Sequence, residues 1–79
     1  MSVELSVVLP VYNEEANVPE VYRRLVAVLD AAGVGFEIVF VDDGSRDRTW
    51  TLVRELAAGD RRVRGLSFSR NFGHQMAFA

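Results

Sequence analysis

The stretch Phe36 to Ser45, reading Phe-Glu-Ile-Val-Phe-Val-Asp-Asp-Gly-Ser, constrains this chain more than any other, because an apolar run stops there against two carboxylates, a glycine and a hydroxyl. Ile38 to Val41 is too short for an ordinary helix and rich in β-branched and aromatic residues. It is therefore predicted to be a strand buried on both faces, the kind that parallel sheets use. Open α/β sheets bind their ligands in the crevice beyond the carboxyl ends of the strands. Asp42 and Asp43 stand on that edge.

The rest of the chain supplies partners for such a strand. Leu5 to Val11 is a second apolar run, and Pro10, which has no N–H for a ladder, predicts that this first strand spans roughly Glu4 to Leu9. A polar turn, Tyr12 to Asn17, leads into a helix for which Asn17 is the N-cap, Pro19 lies in the first turn and Glu20 sits at the third position of a capping-box pattern. Val18, Val21, Tyr22, Leu25, Leu29 and Ala32 recur at helical spacing and form one apolar stripe, which Gly33 ends with a left-handed stop. After Asp43, Gly44 to Arg48 is a turn in which Ser45 or Asp47 caps a second helix with Leu52, Val53, Leu56 and Ala57 on its buried face. That helix ends near Gly59-Asp60. Val63 to Phe68 is a third strand, and Ser69 to Ala79 is predicted to pass from a loop into a last helix. The order β-α-β-α-β-α with short connections implies parallel strands joined by right-handed crossovers. A last helix that stops at Met-Ala-Phe-Ala without a cap gives the expectation that the chain opens a longer domain.

Size and charge narrow the function classes. At 79 residues and 49% hydrophobic composition the chain holds one compact unit. A unit of this size buries only about 60% of the surface its unfolded chain exposes, so it is marginal alone. It has no cysteine, hence no disulfide or thiolate-metal site. No run reaches the roughly 18 apolar residues of a membrane span, and no basic stretch precedes an apolar core at the N-terminus. The expectation is a soluble, cytoplasmic chain. A net charge of −2 argues against nucleic acid as a partner. All nine basic residues are arginine, which carries little functional weight by itself.

The strand ends decide between nucleotide chemistries. A dinucleotide fold places a glycine-rich turn after its first strand so that a pyrophosphate reaches the helix N-terminus. Here that turn is Pro10-Val11-Tyr12-Asn13-Glu14-Glu15, which lacks glycine and whose carboxylates repel a diphosphate. The same turn suits a nucleoside: Tyr12 offers an aromatic face, while Asn13 and Glu14 offer an amide and acceptors to base edges or hydroxyls. Asp43 on the neighbouring strand accepts from a base imino N–H or a ribose hydroxyl. Alone, Asp-Asp-Gly-Ser reads as a turn with a helix cap. The adjacent Pro-Val-Tyr-Asn-Glu-Glu favours the binding reading.

Leu-Pro-Val-Tyr-Asn-Glu-Glu at Leu9 to Glu15, followed by Glu-Ile-Val-Phe-Val-Asp-Asp-Gly-Ser at Glu37 to Ser45, closely resembles the opening of the family 2 inverting glycosyltransferases of the GT-A fold. Arg70-Asn71-Phe72-Gly73-His74-Gln75 resembles the dolichol-phosphate mannosyltransferase-like branch, which loads sugars onto polyprenyl phosphates. The likeness runs over essentially the whole chain. It implies a three-layer α/β/α, Rossmann-like nucleotide-sugar-binding half with parallel strands in the order 3-2-1, truncated, so that residues 1–79 form the incomplete N-terminal nucleotide-binding part of the domain. Carried over residue by residue, it makes Pro10, Tyr12 and Glu14 one wall of the pocket and Val41 and Asp43 the other. Asp42 orients the loop or supports Asp43. Arg70 pairs with a phosphate of donor or acceptor, a solvated strand-end arginine being the alternative, and His74 reads as a packed or capping residue. No catalytic residue is assigned.

The resemblance further implies a UDP- or GDP-sugar donor, a polyprenyl phosphate acceptor, transfer of a hexosyl group for cell-envelope glycan or glycoconjugate synthesis, and a place at the inner face of the membrane. It also implies Mg²⁺ or Mn²⁺ held by an Asp-x-Asp after a fourth strand, a motif absent from this sequence, so the expected metal ligands here are none. The chain alone is expected to be inactive: a truncated product, a fragment or a split subunit. A receiver-like phosphoacceptor module is a competing reading, but it needs a third strand-end aspartate and a lysine. An assembly fragment is another, because strand one would lie beside the missing fourth strand and expose an apolar edge that invites self-association.

Overall fold

The computed structural model describes residues 3–69 and 75–78. Its elements are β1 (Leu5–Val11), α1 (Val18–Ala32), β2 (Phe36–Asp42), α2 (Thr49–Gly59), β3 (Val63–Ser69) and β4 (Gln75–Phe78). The sheet order is β1-β2-β3-β4, with β1, β2 and β3 mutually parallel. This is the expected Rossmann-like α/β arrangement. β1 runs through Pro10 to Val11, two residues past the expected end, because an edge strand accommodates a residue with no N–H to donate.

Two right-handed crossovers that step in the same direction across a sheet leave both helices on one face. The core confirms that geometry. Phe36, Ile38 and Phe40 of β2 are buried against Val18 and Leu29 of α1 and Val53 of α2, with Val7, Leu9, Trp50 and Leu56 packed around them. The stripe on α1 rotates slightly from the expected one: Val26 packs on the core while Val21 is exposed. The described residues thus form two layers of the expected three. Accordingly β2 is not buried on both sides: it alternates fully buried and half-buried residues, Val39 and Val41 lying on the face that carries no helix.

The segment after β3 is a strand where a helix was expected. Gln75–Phe78 pairs antiparallel with β3, placing Phe78 beside Leu66 and Met76 beside Phe68. The reason lies outside the segment: β3 offers an unpaired edge, and pairing along it satisfies backbone groups that a four-residue helix would leave open.

Local capping departs from the expected pattern in two places. Asn17 is the N-cap of α1 with no side-chain bond to the helix, and Glu20 instead accepts from Arg24 at 2.7 Å. Gly33 closes α1 at φ 71°, in the left-handed region. At the N-terminal edge of the sheet, Asp60 accepts from Arg62 Nε and Nη2, both at 3.0 Å, and from the Tyr22 hydroxyl at 2.7 Å. Arg62 also reaches Asp30 at 2.9 Å and lies 4.5 Å from the centre of the Phe36 ring. This cluster ties α1, α2, β2 and β3 together at the end opposite the strand carboxyl edge. No helix among the described residues is long and apolar enough to cross a membrane.

Candidate functional site

The site is built where β1 and β2 end. Register pairs Pro10 with Val41 and Val11 with Asp42. Side chains alternate along a strand, so Pro10 and Val41 share the face free of helices while Val11 and Asp42 turn to the core. One residue further, the Asp43 N–H donates to the Val11 carbonyl at 3.3 Å, which keeps the two chain exits side by side. Tyr12, 52% exposed, and Asp43, also exposed, follow Pro10 and Val41 at the two-residue step. Glu14 lies exposed in the turn that follows. Pro10 and Val41 therefore share one side of the sheet, and Tyr12 and Asp43 follow them, exposed, at the adjacent strand exits. The register adds a neighbour that sequence did not single out, Leu66 of β3, which pairs with Val41 and extends the apolar floor.

The two aspartates separate. Asp42 is buried on the core side, where its Oδ1 accepts from the Ser45 N–H at 3.0 Å and from the Ser45 hydroxyl. Gly44, at φ 76°, supplies the left-handed turn between them, and a Cβ there would stand 3.3 Å from the Phe68 carbonyl oxygen. Asp42 thus shapes the turn from behind, while Asp43 is exposed.

The β1–α1 and β2–α2 loops are stitched to each other. The Asn13 N–H donates to Ser45 Oγ at 2.8 Å, and Asn13 Oδ1 accepts from the Arg46 N–H at 2.8 Å. Asn13 adopts φ 49°, a left-handed value that asparagine tolerates better than most residues. Its side-chain carbonyl is thereby engaged within the loops rather than offered to a ligand. The Glu14 N–H donates to Thr49 Oγ1 at 2.7 Å, and the Glu15 N–H to Asp47 Oδ2 at 3.3 Å. Asp47 Oδ1 in turn accepts from the Thr49 N–H at 2.9 Å and from the Thr49 hydroxyl. Hydrogen bonds to the charged form, from the Thr49 hydroxyl foremost, hold the Asp47 carboxyl below its ordinary range. Asn13, Ser45, Asp47 and Thr49 are the residues whose structural part in this site the sequence reading missed. Asp-x-Thr before a helix is the signal that could have found Asp47 and Thr49, since such residues bond to nearby backbone groups.

The described residues do not fit a divalent cation. Among the described residues no group of three or more His, Cys, Asp or Glu side chains is arranged to hold one, and Asp42 is turned away from Asp43 to bond Ser45. Arg70 and His74 lie outside the described residues.

Comparison with known proteins bears on what such a site is for. The family described as Glycosyl transferase family 2 matches residues 6–79. The chain is 48% identical to the uncharacterized glycosyltransferase YkcC of Bacillus subtilis (strain 168), over 95% of this chain and 23% of that protein. It is 49% identical to the undecaprenyl-phosphate 4-deoxy-4-formamido-L-arabinose transferase of Pseudomonas paraeruginosa (strain DSM 24068 / PA7), over 92% of this chain and 22% of that protein. The transferase of the same description from Shewanella sediminis (strain HAW-EB3) is 43% identical, over 92% and 22%. The chain spans about a quarter of the length of these relatives.

Proposed function

The chain belongs to glycosyl transferase family 2, and on that premise we propose that it is the N-terminal nucleotide-binding part of an inverting transferase that moves a sugar from a UDP- or GDP-sugar to a polyprenyl phosphate. The carrying observation is the shared open face, with Pro10 in register with Val41 and Tyr12 and Asp43 at the strand exits just beyond. Relatives named as undecaprenyl-phosphate transferases support the acceptor class.

Each residue's part follows from its chemistry. The Tyr12 ring stacks on the base, and Asp43 accepts from a base imino N–H or a ribose hydroxyl. Glu14 accepts from a further hydroxyl, while Pro10 and Val41 exclude water beneath the nucleoside. With the nucleoside fixed, an acceptor phosphate oxygen attacks the anomeric carbon from the side opposite the nucleoside diphosphate. The new C–O bond forms as the bond to the diphosphate oxygen breaks, the diphosphate leaves with the electron pair, and the configuration inverts. This chain supplies the binding half of that event, at the cytoplasmic face of the membrane where a nucleotide sugar meets a polyprenyl headgroup. Arg70 pairs with a phosphate there.

The transferred unit was expected to be a hexosyl group, whereas two of the named relatives carry an arabinose derivative, a pentose, in their descriptions. The test therefore spans both. Calorimetric titration of UDP, GDP, a UDP-hexose and a UDP-pentose into the protein, with Tyr12→Ala and Asp43→Ala as controls, is expected to give binding of one nucleotide that both substitutions weaken. Equal binding by the wild type and both variants would reject the site.

A further inference from the structure

Thr49 is the first residue of α2 and is fully buried, behind the exposed strand exits rather than among them. Its hydroxyl nevertheless accepts the Glu14 N–H at 2.7 Å and donates to Asp47, whose second oxygen accepts the Glu15 N–H. The Glu14 carbonyl in turn receives the N–H groups of Asn17 and Val18 at 2.9 and 3.1 Å, so the turn is held from both ends. From this geometry we propose that Thr49 is a positioning residue for nucleotide binding: from the head of α2 it fixes the backbone that carries Tyr12 and Glu14, and so sets the first wall of the pocket against the second. The inference rests on the reading under Proposed function.

The physical reason is the rigidity of the anchor. A β-branched threonine has few rotamers, and burial beneath both loops leaves its hydroxyl one hydrogen-bonding arrangement. The Glu14 N–H otherwise has no partner in the turn except water, which leaves the loop free to tilt. Side chains that recognise a ligand must be held to within a fraction of an ångström by groups behind them. Asn13 with Ser45 performs the same service on the outer side, but through exposed atoms in competition with solvent.

The test compares Thr49→Val, which keeps shape and removes the hydroxyl, with Thr49→Ser, which keeps the hydroxyl, in the full-length protein. Arg62→Met, at the opposite end of the sheet, serves as a control for lost stability. Using whichever of UDP or GDP the wild type binds, Thr49→Val is expected to raise Kd about tenfold, the effect of losing one buried hydrogen bond. Thr49→Ser is expected to stay within about twofold of wild type, since the bond that decides the effect is retained. Arg62→Met should keep the wild-type Kd despite a lower urea midpoint. Amide exchange at Glu14 in the ligand-free protein should quicken in Thr49→Val and not in Thr49→Ser. Unchanged Kd in Thr49→Val, with a wild type that binds, overturns this inference alone, as does an equal loss in Arg62→Met. A wild type that binds neither nucleotide overturns the functional reading and this inference with it.

Discussion

Gly65 is the position at which one added carbon tests the packing that carries the site. It lies in the middle of β3, buried, facing α2, and a Cβ built on it would stand 2.6 Å from Val53 Cγ1 and 3.0 and 3.2 Å from Cζ3 and Cη2 of Trp50. Carbon pairs prefer about 3.5–4.0 Å, so the contact with Val53 is roughly 1 Å too close. Val53 is fully buried and stiff about χ1 in a helix, so it has no alternative rotamer, and the backbone of α2 must move. Overpacking of this kind costs about 1–3 kcal/mol. Against it stands a gain of about 0.4–1 kcal/mol, because alanine lowers the entropy of the unfolded chain. Gly65 is not among the positive-φ glycines, so alanine's backbone conformation is allowed there. We expect Gly65→Ala to destabilise the protein by about 1–2 kcal/mol, a lowering of Tm by roughly 4–16 °C for a unit of this size. Urea unfolding followed by circular dichroism, with unchanged m, measures it. Val53→Ala combined with Gly65→Ala makes room for the new methyl and should lose less than the two single losses added together. A Gly65→Ala midpoint at or above wild type, or strict additivity in the double variant, would refute the packing argument.

The Asp60 cluster predicts a pH profile for stability. The Arg62 guanidinium, foremost by its hydrogen bonds, holds the Asp60 carboxyl well below the usual carboxylate range, and the hydrogen bond to Asp60 followed by burial pushes the Tyr22 hydroxyl up. A depressed carboxylate contributes stability that is present above its unfolded value of about 3.9 and lost as pH falls through the folded value. A raised tyrosine contributes below about 10 and loses its contribution as pH rises through the folded value. Urea midpoints of wild type should therefore fall at both ends, and Asp60→Asn should lower the neutral plateau and flatten the acid limb; an acid limb of undiminished steepness in Asp60→Asn would contradict the assignment. The free edge of β1 gives a separate expectation: Val8 is 61% exposed on the helix-free face, so the chain should self-associate in sedimentation, and Val8→Lys should reduce that. A sharp monomer with a cooperative melt would count against it.

Much of this protein is written locally. The β-branched runs of β1 and β2, the helical stripe of α1, Pro19 inside its start and Gly33 past its end are short-range signals, and short connections between them compel parallel pairing. The pairing of Pro-Val-Tyr-Asn-Glu-Glu with Val-Asp-Asp-Gly-Ser singled out two strand ends, which the register of β1 with β2 sets side by side. The burial of Asp42 was also legible in principle: the two-residue period through Phe36, Ile38 and Phe40 assigns it to the core, while Asp43 lies past the strand end and is exposed.

Tertiary structure alone decided the rest. Gln-Met-Ala-Phe has no strong local preference, and it became a strand because β3 presented an edge to pair with. Phe36, Ile38 and Phe40 are sealed by both helices on one side, which no single element specifies, and that leaves Pro10, Val41 and Leu66 on the other. The bonds from Asn13 to Ser45 and from Glu14 to Thr49 join residues 32 and 35 positions apart. Sequence determines what each of these groups can donate or accept; only the pairing of β1 with β2 brings them within reach, because hydrogen bonds act over about 3 Å and the chain alone sets no such proximity.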